Sequence, residues 1–157
     1  MDALLAALEG SMPAQLLRSS RWGYAGINAL HILGIALLVG SVVPLNLRLL
    51  GLWRKRVPRE AAIRLLVPAA AIGLVVAFAA GLLLFSVRAR EYSNVGVLQA
   101  KLALVSIGTA AALAAHLRYG FLLEAASAGR LRMHAFVSLG CWIGALACGR
   151  LIAFAGG

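Results

Sequence analysis

Arginine clusters divide the chain into four apolar stretches, residues 22–47, 65–87, about 92–117 and 133–157. Each is long enough to cross ~30 Å of hydrocarbon at about 1.5 Å of rise per residue. In hydrocarbon a backbone must satisfy its own polar groups, so only helices and closed barrels can span it. The stretches are rich in Ala and Leu and show no period-2 alternation, which selects helices. With 62% hydrophobic and 13% charged residues and a mean hydropathy of +0.93, little is left over for a soluble module. The expected fold is all-α, an integral membrane four-helix bundle formed by residues 21–157 as one domain.

Residues 1–20 do not read as a cleaved signal, because Asp2 and Glu9 stand where a signal carries positive charge and the apolar pieces are short. Leu4, Leu5, Leu8 and Met12 fall at helical spacing, so this segment is either an interfacial helix or a disordered tail. The net charge of +10 is unevenly spread. Arg48, Arg54, Lys55, Arg56, Arg59 and Arg64 crowd the first connection, and Arg118, Arg130 and Arg132 the third, against Glu60 and Glu124. By the positive-inside rule these connections face the cytoplasm and both termini lie outside, an N-out/C-out multi-pass protein of a bacterial inner membrane. The basic charge then reflects topology and attraction to membrane lipids rather than nucleic acid.

Helix packing is written in small residues. Gly73, Ala77 and Gly81 in the second span, and Gly140, Gly144 and Cys148 in the fourth, recur at i, i+4 and i+8. Such faces let backbones approach, so these two are expected to make the closest contacts of the bundle or to serve a homo-oligomer. Cys141 and Cys148 share a face but stand about 10 Å apart along the axis, too far for a disulfide, and read as packing residues. Pro44 and Pro68 fall near the cytoplasmic ends of the first two spans, where a kink or a helix end costs little.

Against this apolar background His31 stands out, an ionisable side chain within the first span. Counting from Arg48, Arg118 and Arg132 places His31, Lys101 and Arg150 at a common depth of about 25–27 Å, near the outer edge of the hydrocarbon. Arg21, Tyr24, Asn28 and His31 fall within about 80° of one helix face, a polar stripe expected to face the bundle or a wet cavity. Glu91 offers a counter-charge in the outer connection. The plainer alternatives are that Lys101 and Arg150 snorkel to the headgroups and that His31 is a helix-to-helix hydrogen-bond partner. His116 and His134 share a cytoplasmic depth and either pair around a metal or haem or are ordinary interfacial residues. His31 and His116 differ in depth by roughly 20 Å, which disfavours a bis-histidine haem between them.

The runs "NALHILGIALLVGSVVPLNLRLLG", "AAGLLLFSVRAREYSNVG", "LQAKLALV" and "GRLIAF" resemble a family of uncharacterised four-helix bacterial membrane proteins. More distantly the chain is similar to the HemJ type of protoporphyrinogen oxidase and to the CopD copper-resistance membrane proteins. The HemJ resemblance implies a b-type haem, with His31 matching the ligand histidine of the first helix and Lys101 a functional lysine of the third. The CopD resemblance implies copper handling at the outer side, with no ligand set to transfer. Asn46 stands before Leu47 and Arg48 where the nearest family has an acidic residue, and the HemJ-type charged signature near the C-terminus is missing.

Three functional readings follow. The first is a small haem b-binding redox protein with its site near the outer face. His31 is its axial ligand, Asn28 and Tyr24 surround the imidazole, and Lys101 and Arg150 meet the propionates or an anionic substrate. Its reaction would be electron transfer or oxidation of a lipophilic quinol or porphyrin. The second is a copper-binding or transport protein with His31 as a metal ligand, although the chain has only three Met and two Cys as soft donors. The third is a non-catalytic bundle acting through partners or lipids. No nucleotide loop, nucleophile triad or paired-carboxylate site is present, which removes hydrolases and phosphate chemistry.

Overall fold

A computed structural model describes residues 2–155. Among these the chain is helical and without strands: α1 (Asp2–Glu9), α2 (Met12–Ser19), α3 (Arg21–Leu50), α4 (Arg59–Val87), α5 (Ala89–Ser93), α6 (Gly96–Tyr119) and α7 (Ala128–Ala155). Four segments are long and apolar enough to cross a membrane: α3, α4, α6 and Ala128–Ile152 of α7. They are the four spans expected from the sequence. The short α1 and α2 divide at Gly10 and Ser11, so Leu4, Leu5 and Leu8 belong to one helix and Met12 to the next. Glu9 ties this segment to α5, accepting a hydrogen bond from the Arg90 backbone N–H at 2.9 Å.

Neither proline interior to a span ends its helix. Helix α3 runs through Pro44 to Leu50 and α4 runs through Pro68 to Val87. What ends α3 is Gly51, in the left-handed conformation (φ 118°), whose N–H bonds the Arg48 carbonyl while Leu52 N–H reaches that of Leu47. Glycine takes such a φ without the steric penalty a Cβ brings.

The spans lie side by side in the order α4, α3, α7, α6, and no close backbone approach joins α4 or α3 to α6. The tightest seam is α3 against α4. A Cβ on Gly34 would stand 2.5 Å from the Ala77 nitrogen, and one on Gly73 2.5 Å from that of Leu38. The expected small face of α4 is therefore used within the chain, against α3. It does not meet the small-residue face of α7. On α7, Gly144 packs on Leu104 of α6, whereas Gly140 faces open space. Cys141 is buried beside Gly108, and both cysteines are free.

Two apolar clusters form the core. In mid-bundle Leu38, Val42 and Trp142 are buried with Ala70, Leu74 and Val105 around them, so all four spans contribute. The second cluster lies toward the connections rich in arginine, hereafter the basic end, and gathers Ile63, Ala115, Tyr119, Leu123, Ala126 and Leu131. Neither cluster extends to the opposite end, which carries both termini. Between α3 and α7 the Asn46 amide donates to Ser138 Oγ at 2.9 Å, with Asn46 only 4% exposed. A paired amide in an apolar seam fixes helix register, because slipping it would leave polar groups without partners.

Candidate functional site

Register sets the levels of the polar groups at the terminal end. From Ser138 to Gly149 on α7 is the same axial step as from Asn46 back to Ile35 on the antiparallel α3. Lys101 of α6 lies beside Gly149, where a Cβ would stand 3.4 Å from Nζ. Lys101 is thus level with Ile35, offset along the bundle axis from His31 by one helical turn, about 6 Å. By the same count Arg150 is level with Gly34. Along the bundle axis His31, Lys101 and Arg150 fall within about one turn of one another. Arg150 itself is exposed.

The geometry at His31 is set by α4. Its Nδ1 lies 2.7 Å from the Ala77 carbonyl oxygen. A carbonyl only accepts, so Nδ1 carries the proton and Nε2 keeps its lone pair. The ring lies across Gly81, whose hypothetical Cβ would come within 2.9 Å of Cε1. Glycine at 81 therefore makes room for the imidazole. This seat was only half legible: Gly81 was readable as a small residue, but which side chain it would admit was not.

The remaining members of the expected site lie elsewhere. Neither Tyr24 nor Asn28 makes a hydrogen bond to the imidazole, whose Nδ1–H goes to Ala77. Asn28 is exposed. Tyr24 lines a separate cavity of about 510 Å³ with Arg18, Arg21, Leu84, Arg88 and Tyr92. Burial raises the Tyr92 phenol above its usual value, and the neighbouring Tyr24 and Glu91 add to the effect. Glu91 is not a counter-charge for His31 or Lys101; its carboxylate pairs with Arg88 at 3.4 Å.

At the basic end His116 and His134 are engaged separately. His116 Nδ1 donates to the Phe121 carbonyl at 3.0 Å, and His134 meets the Tyr119 ring edge-on at 6.0 Å. Among the described residues no three His, Cys, Asp or Glu side chains gather as a metal cage.

No known family model, curated protein or solved structure matches the chain.

Proposed function

We propose that this chain is a small membrane redox protein that holds haem b at its terminal end through Nε2 of His31. The observation that supports this most is the His31 to Ala77 hydrogen bond. A ligating histidine almost always gives its other ring N–H to a carbonyl or carboxylate, which fixes the tautomer and the ring plane. Haem brings four nitrogens of its own and asks the protein for one or two axial donors, so a single well-held imidazole suffices. Lys101 and Arg150, within about one turn of His31 along the bundle axis, would be the cations that meet the propionates.

The layout of the spans bears on the route by which such a group would reach His31. The core clusters stop short of His31, and α6 is joined by close backbone contact to neither α3 nor α4. A flat apolar ligand can enter from the lipid along that side. When bound, the group would supply a one-electron carrier, and a lipophilic quinol or a porphyrin is the class of substrate that reaches such a site. We assign the terminal end to the outer face of a bacterial inner membrane, since the arginines of the opposite connections mark the cytoplasm.

Copper asks more of the protein than haem does. A bare ion needs several protein donors, and the absence of a three-residue cage among the described residues gives that reading no support. The test is a titration of haemin into the detergent-solubilised protein. We expect a Soret band saturating at one haem per chain, and its loss in His31→Ala while helicity and elution volume stay unchanged. A wild-type protein that gives no saturable band sinks the proposal.

A further inference from the structure

The basic end carries a feature the redox reading does not use. Arg48 near the end of α3, Arg54 in the connection, Arg59 in the first turn of α4 and Arg132 in the first turns of α7 line one cavity of about 450 Å³. Glu60 is the single carboxylate among its lining residues. Gly51 (φ 118°) and Trp53 (φ 54°) in left-handed conformations turn the connection between α3 and α4, and Arg48 secures it by donating from Nε to the Val57 carbonyl. The fold thus brings residues 48–60 and the start of α7, distant in sequence, around one space.

Positive-inside topology explains why arginines are at this end but not why four of them surround a cavity. Like charges held together repel, and the arrangement is stable when an anion sits among them. Within the described residues neither an ion pair nor a side-chain hydrogen bond engages Arg54, Arg59 or Arg132. The two ion pairs of the described chain, Arg88 with Glu91 and Arg90 with Glu9, lie at the terminal end. Helix α4 begins at Pro58 with no side-chain cap, so its first-turn N–H groups have no side-chain acceptor. Guanidinium forks match phosphate oxygens two at a time, and a helix start adds donors and positive potential. Leu49 and Leu131 give the same cavity an apolar side.

We infer that this cavity is a binding site for a phosphate group, carried by an anionic phospholipid or by a free phosphate compound. Arg54, Arg59 and Arg132 are its principal donors, and the site is independent of haem at His31.

Calorimetric titration of the full chain in neutral maltoside micelles tests this, with two probes, inorganic phosphate and dihexanoyl phosphatidylglycerol. At least one probe should bind saturably at one site per chain. Arg59→Gln with Arg132→Gln should weaken that binding at least tenfold, whereas Arg56→Gln with Arg64→Gln, an equal loss of charge outside the cavity, should change it less than twofold. Saturation by the lipid alone identifies a headgroup site; saturation by inorganic phosphate, with competition between the probes, identifies a soluble ligand. Arg54→Gln, an exposed change in the connection, should weaken binding about threefold and serves if the double variant fails to fold. Failure of both probes to saturate, or equal weakening in the control pair, overturns the inference.

Discussion

The Asn46 amide and the Ser138 hydroxyl meet at 2.9 Å across the α3 to α7 seam, and the register they set puts Lys101 within a turn of the level of His31. Interhelical hydrogen bonds of this kind couple by about 0.6 kcal/mol on average in membrane proteins, and up to about 1.7 kcal/mol. A double-mutant cycle with Asn46→Ala and Ser138→Ala, read by thermal unfolding in detergent, should give a coupling in that range. Additive losses would show that the pair does not fix the register.

The α3 to α4 seam yields a sharper contrast. Gly34→Ala or Gly73→Ala drives a methyl into backbone 2.5 Å away, where no side-chain rotation relieves it. Overpacking of this kind costs about 1–3 kcal/mol. Gly40→Ala and Gly140→Ala, which meet nothing within 4 Å, should leave the unfolding temperature unchanged or slightly raised. Gly81→Ala belongs to a third class, because its methyl meets the His31 ring rather than backbone. It should shift any haem spectrum more than it shifts stability.

How much of this was legible in the sequence differs from residue to residue. The spans were readable because apolar length is a local property, and the common level of His31, Lys101 and Arg150 because arginines mark depth and helices rise uniformly. Gly73, Ala77 and Gly81 announced a close contact but not its partner. The opposing face of α3, Gly34 and Leu38, is not a stripe of small residues, and spacing along one helix does not say which helix faces it. Tyr24 and Asn28 share the His31 sector on a helical wheel, yet α4 supplies the carbonyl that the imidazole uses and Tyr24 turns toward Tyr92. The basic cavity was hidden for a similar reason: its arginines read as a topology signal until Arg132 joined them from a distant helix.

Alkaline pH should loosen the segment of α5. The folded state holds the Tyr92 phenol above its ordinary value of 10.0, so it favours the protonated form. That contribution is intact below pH 10 and lost as pH rises through the higher folded value. Thermal stability should therefore fall more steeply above pH 10 in the wild type than in Tyr92→Phe. Identical slopes would mean that Tyr92 titrates normally.

Haem ligation by Nε2 of His31 is decided by the reduced-minus-oxidised spectrum of the protein purified from its own membranes, compared with His31→Ala. The α-band of a b-type haem is expected in the wild type and should be absent in a folded His31→Ala variant. An undiminished band in that variant, or no band in the wild type, would contradict it.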